Sequence, residues 1–196
     1  MVEINTYANP YPYETQNISS FVSDFYEQTN NPALIEQYGL QTFLLNVLDK
    51  RRTMIEKLVS LFRFSFSENP TVELSAKIRH FYDLHFLVND SECADYIQSV
   101  DFTKDLSELL VHDKFKFDSP EGWQTKKITE SPLITIFPTL WKNLRTVYQN
   151  ELSTLAFAEI PEEKEVEKSV IQVVKHIKSL YHENNNLLFM AIDNKN

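Results

Sequence analysis

Apolar and polar positions change their spacing twice along this chain, and the changes divide it into segments. Near the N-terminus Val2-Glu3-Ile4 alternates, which predicts a strand stub. Asn9-Pro10-Tyr11-Pro12-Tyr13 predicts extended backbone, because a residue before proline avoids the helical region. Over Ser19–Thr29 the spacing becomes three to four, with Ile18, Phe21, Val22 and Phe25 on one face and Asn17 placed to cap. Pro32 opens a short helix through Ile35 that stops at Gly39. Gln41–Leu48 is then a mostly apolar run of strand length, and it predicts a buried strand.

From Asp49 onward the spacing is helical. Met54, Leu58, Leu61 and Phe62 predict an amphipathic helix over Arg52–Phe66, ended by Asn69-Pro70. Leu74, Ile78, Phe81, Leu84 and Val88 predict the next helix, with His85 at the edge of the stripe. Cys93–Val100 and Leu106–Val111 read as short helices, and Asp113–Gln124 as irregular chain. Pro138 begins a long helix through Phe157, and Pro161 begins another, with Glu162 and Glu163 on its positive end. That last helix buries Val166, Val170, Val173, Ile177 and Leu180 and stops at Asn184-Asn185-Asn186, after which Leu187–Ile192 is an apolar tail expected to dock back. The fold class that follows is α+β, predominantly α: a helical bundle packed on a small N-terminal strand element. Residues 1–48 form the strand/helix part and 49–196 the helical domain of one compact unit.

Composition narrows the chemistry. A chain of 196 residues fits one domain, and 13% aromatic content means that rings dominate its core. Gly39 and Gly122 are its two glycines, which excludes a Rossmann fingerprint or a Walker loop, since each needs several. The single Cys93 excludes a disulfide framework and a multi-cysteine zinc site. No basic stretch followed by an apolar one opens the chain, and no run approaches the ~20 apolar residues of a membrane span, so a cytoplasmic protein without a membrane partner is expected. The net charge is −9, yet Leu40–His85 carries seven cations against five anions. A local basic surface of that kind can hold a phosphate-bearing ligand on an acidic protein, although it is also what an ordinary helix surface looks like.

Three constellations could carry chemistry. Lys57 lies one to two turns into a helix that Asp49 can cap and whose positive end carries Lys50, Arg51 and Arg52, within reach of a phosphate; the alternative is a surface lysine beside Glu56. Arg79 and Asp83 are four apart, on one helix face. Asp83, flanked by Phe81, Tyr82, Leu84 and Phe86, is either a base or metal-linked acceptor, or half of an Arg79–Asp83 strut. His112-Asp113, with His80 and His85 upstream and Asp193 downstream, is the loose outline of a His-Asp metal phosphohydrolase. Tyr82, Trp123 and Trp141 could stack on bases, though aromatics in helical stripes are usually core.

Tyr38-Gly39-Leu40-Gln41-Thr42-Phe43, Val47-Leu48-Asp49, Arg52-Thr53, Glu56-Lys57-Leu58 and Ile78-Arg79-His80-Phe81-Tyr82-Asp83-Leu84, followed by Trp141, Leu144, Tyr148, Leu155 and Pro161, resemble the AbiEii/AbiGii-type abortive-infection nucleotidyltransferase toxins over Val2–Lys178. The resemblance implies a polymerase-β-like nucleotidyltransferase superfamily member, with residues 1–48 a remnant of the nucleotidyltransferase sheet. It implies transfer of a nucleotide to an RNA acceptor, with Mg²⁺ and a nucleoside triphosphate as cofactors and an antitoxin as partner. By motif match Lys57 and Asp83 would be the catalytic pair, with Lys50, Arg52, Arg79 and His80 toward the phosphates and Glu3 as a metal-holding carboxylate. Some branches carry an acidic residue where this chain has His80. The family's Gly-Gly and Asp-x-Asp motifs occur nowhere in these 196 residues. The expectation is therefore the C-terminal part of such a toxin, inactive alone and completed by an N-terminal chain. The alternatives are a non-catalytic helical protein-interaction module, which would expose an apolar patch near Val2–Ile4 and Phe43–Val47, and the phosphohydrolase.

Overall fold

The computed structural model describes residues 12–155 and 159–183. Val2–Ile4 and Leu187–Ile192 lie outside the described residues. The chain divides into two units, Met1–Arg52 and Thr53–Asn196.

The N-terminal unit is a split hairpin. Strand β1 (Tyr13–Ile18) and strand β2 (Phe43–Leu48) form an antiparallel pair in the register Tyr13↔Leu48 to Ile18↔Phe43. Helices α1 (Phe21–Gln28) and α2 (Pro32–Gln37) fill the connection. Asn17, expected to cap α1, is instead the fifth residue of β1, and Ser20 is the cap, its Oγ accepting from the Ser23 N–H at 3.1 Å. The strand preference of the Tyr13–Ile18 segment is weak in sequence, because polar residues interrupt it; its ladder with β2 determines it. Gly39, at φ +62°, ends the α2 turn as its position predicts.

β2 is a strand, but it is not buried. Phe43 is 53% and Leu44 68% exposed, and Phe21, Val22 and Phe25 on α1 are exposed too. Ser23 is the one fully buried residue among those described in this unit. The cause is that a two-stranded ladder has two faces. The pairing puts Leu44 and Leu48 on one side and Phe43, Leu45 and Val47 on the other, so both sides are apolar at once.

The second unit holds the core. Helix α3 (Lys50–Ser65) begins at the end of the first unit and is followed by α4 (Pro70–Ser75), α5 (Ile78–Asn89), α6 (Ser91–Ile97), α7 (Val100–Lys116), α8 (Pro132–Thr135), α9 (Phe137–Leu155) and α10 (Glu163–Glu183). The helix expected over Leu74–Val88 is thus two, broken at Ala76-Lys77, and Pro70 starts a helix of its own under an Asn69 cap. Leu106–Val111 grows to seventeen residues because Ser99 caps α7 through the Phe102 N–H at 3.2 Å. No described helix is long and apolar enough to cross a membrane.

Met54, Leu58, Leu61 and Phe62 of α3 are buried, as are Ile78, Phe81, Leu84 and Val88 of α5 and Val166, Val170, Val173 and Ile177 of α10. A run of rings ties α5 to α9: Phe81–Trp141 centroids lie 5.4 Å apart and Trp141–Tyr148 centroids 5.6 Å. Tyr148 donates its hydroxyl to the Pro161 carbonyl at 2.9 Å, and burial pushes its pKa up to about 12. His85 is a strut rather than a ligand, its Nδ1 2.9 Å from Ser169 Oγ on α10.

The contrast between the units is measurable. Leu84→Ala is expected to cost about 2–5 kcal/mol of stability in urea unfolding. Leu44→Ala, at an exposed strand position, is expected to change it by about 0.5 kcal/mol or less. Equal costs would show that β2 is covered in solution.

Candidate functional site

α3 and α5 are positioned by their apolar stripes, and the residues between the stripes meet. Lys57 follows Glu56 on α3, one residue from buried Leu58; Asp83 precedes buried Leu84 on α5. With both stripes turned inward, the Lys57 ammonium reaches Asp83 Oδ2 at 2.7 Å. Both groups remain accessible, their side chains 20% and 36% exposed. A pair that open to water contributes little to stability, about 0–1 kcal/mol, so fold maintenance is a weak reason for it.

The expected Arg79–Asp83 strut is not what forms. Arg79 is exposed and makes no ion pair among the described residues, because Lys57 from the neighbouring helix holds the carboxylate instead. His80, one turn before Asp83, is half-buried. Burial first, then the charges of Lys57, Lys77 and Arg79, push its pKa down to about 4. At neutral pH it is therefore an uncharged imidazole among three cations. That leaves a locally positive face with one carboxylate, suited to an anionic ligand.

Asp49 caps α3, its Oδ1 accepting from the Arg51 N–H at 2.7 Å, and it also binds the Arg51 guanidinium. Its carboxyl is held below the usual range chiefly by the Arg51 side chain. Arg51 is thus committed, while Lys50 and Arg52 stand in the first turn of α3 and belong to the N-terminal unit. Glu3 and Asp193 lie outside the described residues.

Metal chemistry has no ready cage here. Among the described residues no three His, Cys, Asp or Glu side chains are grouped to hold an ion. Asp83 contributes one carboxylate, and one of its oxygens is already taken by Lys57. His112 Nδ1 does face Asp113 Oδ1 at 3.2 Å, but the doublet gathers no third ligand among the described residues. Described clefts of about 160 and 290 Å³ lie elsewhere, against α9 and α10 and between α6 and α10.

One cluster was not legible from helical spacing. Arg63 Cζ sits 4.7 Å from the Phe64 ring centroid and 4.0 Å from that of Phe117, and Lys77 Nζ 4.9 Å from Phe64. The alternation Lys114-Phe115-Lys116-Phe117 was its visible signal in the sequence. Trp123 and Trp141, considered as stacking platforms, are buried in full.

The family model of the nucleotidyl transferase AbiEii toxin, of Type IV toxin–antitoxin systems, matches residues 1–168. The chain belongs to this family. Neither the curated proteins nor the solved structures contain a match to it. The family match spans the Lys57 helix and the Asp83 helix, so the AbiEii-type chain carries both halves of the 2.7 Å pair within the matched region.

His80 gives the direct test of the site's electrostatics. Its folded pKa lies below the unfolded value, so the unfolded chain binds the extra proton between about pH 4 and 6.5. The His80 contribution to stability is then complete above pH 6.5 and lost as pH falls toward 4. An NMR titration of the His80 ring should show a midpoint near 4, and His80→Gln should flatten the stability profile in that window. A midpoint near 6.5 would mean that the ring is solvated and the cationic face is not as described.

Proposed function

We propose that this AbiEii-type chain takes part in transferring a nucleotide from a nucleoside triphosphate to an RNA acceptor. The observation that supports the reading is the Lys57–Asp83 contact across α3 and α5, within the region that the family model matches. Lys57 would meet the triphosphate, where an ammonium neutralises charge that develops on the transferred and departing phosphates. Asp83 would hold that ammonium in place and present its second oxygen toward the acceptor. Neutral His80 would donate or accept a hydrogen bond at the phosphate edge without adding charge, and Arg79 and Lys77 would supply the surrounding field.

Mg²⁺, when bound, would supply charge neutralisation for such a transfer, and it needs carboxylates that the described residues do not assemble. The 196 residues by themselves are accordingly expected to bind nucleotide without efficient transfer, until a chain carrying an Asp-x-Asp strand is supplied. An antitoxin is the protein partner that the family implies.

A second reading is favoured by the exposed apolar residues of β2: a non-catalytic module that docks on another chain through Phe43, Leu44 and Leu45. Incorporation of radiolabelled nucleotide into tRNA, with and without a complementing strand-bearing chain, separates the two. Nucleotide binding by the chain alone, transfer on complementation, and about a 10²-fold loss of transfer in Lys57→Ala and in Asp83→Asn are expected. Transfer that ignores both substitutions, or no nucleotide binding at all, would leave the docking module.

A further inference from the structure

Trp141 has a hydrogen bond left to make. Its side chain is 2% exposed and packs on Phe81, Phe137 and Tyr148, with ring centroids 5.4, 5.9 and 5.6 Å away. Its Nε1 is shielded from water and has no acceptor among the described residues. A buried N–H without an acceptor is costly, and folded proteins keep few of them. Trp123 shows the ordinary arrangement, its Nε1 donating to the Phe117 carbonyl at 2.8 Å. Phe81 and Phe137 can offer Trp141 no acceptor. The open side of Trp141 is a cleft of about 160 Å³, which it lines together with the first turn of α10. That is the space of about five waters, enough for a small organic acid and too little for a nucleotide.

The charges around the cleft decide what kind of group fits. Lys142 and Arg145 line it from α9, and Glu163, Lys164 and Glu167 from α10. Arg145 Nη1 lies 3.7 Å from Glu163 Oε1, and Gln149 Nε2 donates to Glu163 Oε2 at 3.4 Å, so that carboxylate is engaged. Lys142, Lys164 and Glu167 make no ion pair among the described residues. Three cations against two anions leave one positive charge over, and the start of the 21-residue α10 adds the positive end of its dipole. An amine would meet an N–H donor and the cation excess, and both oppose it. A phosphate dianion would bring a second negative charge beside Glu167. A carboxylate brings the acceptor that Trp141 lacks and the single charge that balances the walls.

We propose that this cleft binds a small monocarboxylate, with one carboxylate oxygen accepting from Trp141 Nε1 and the charge set against Lys142 and Lys164. The cleft lies on α9 and α10 and the Lys57–Asp83 pair on α3 and α5, so the proposal stands apart from nucleotide transfer.

Titration of the ¹⁵N-labelled chain with propionate tests it. The chain has two tryptophans, so two indole N–H signals report. The Trp141 signal is expected to move and saturate. The Trp123 signal, its N–H already bonded, is expected to stay in place. Propionamide, of the same shape without the charge, and propylamine are expected to move neither at equal concentration. Lys142→Gln with Lys164→Gln, at exposed positions that should leave thermal unfolding unchanged, is expected to weaken propionate binding about tenfold. Glu167→Gln removes the opposing carboxylate and is expected to tighten it about threefold. A Trp141 signal that stays still, two indole signals that move together, an equal response to propionamide, or indifference to the lysine pair would each overturn the proposal.

Discussion

The rotation of α5 about its own axis is the constraint from which the candidate site follows. Ile78, Phe81, Leu84 and Val88 are all buried, and a helix with one continuous apolar stripe has one orientation that buries it. Once that orientation is set, Asp83 must lie at the stripe's edge, and His80 one turn away must share its fate. α3 is constrained in the same way by Met54, Leu58, Leu61 and Phe62, which brings Lys57 to the matching edge. The 2.7 Å contact is thus a product of apolar packing, and its own weak attraction does not hold the helices.

The two units differ in kind. Among the described residues the second unit contains nearly every buried side chain, with rings from α5 and α9 packed tilted against one another through its middle. Among its described residues the first unit has helices and a paired ladder, and buries Ser23 alone. An isolated two-stranded ladder is marginal in water, and this one leaves apolar residues exposed on both of its faces.

Long helices were legible because their stripes run uninterrupted; α10 buries Val166, Val170, Val173 and Ile177 as the spacing dictates. Short elements were harder to read. The break between α4 and α5 falls at Ala76-Lys77, where neither residue is a helix breaker, so spacing alone joins them. β1 was missed because Glu14, Gln16 and Asn17 dilute its pattern, and its partner lies about thirty residues away. β2 was read as buried because apolar content reports what a segment would prefer and says nothing of whether anything is there to cover it. At the site, Lys57 and Asp83 could each be named from motif positions. The neighbour that Asp83 chooses could not: Arg79 is local and visible at four residues' distance, while Lys57 arrives only through tertiary packing.

The buried hydroxyl of Tyr148, resting on the Pro161 carbonyl, links α9 to the segment that leads into α10. It fastens the beginning of one helix's approach to the body of the other without using the residues in between. A protease that nicked the backbone in that interval would separate two covalent pieces and still find them fastened. The helical unit should accordingly tolerate being expressed as two polypeptides, or having its termini relocated there, better than at any junction that lacks such a clasp.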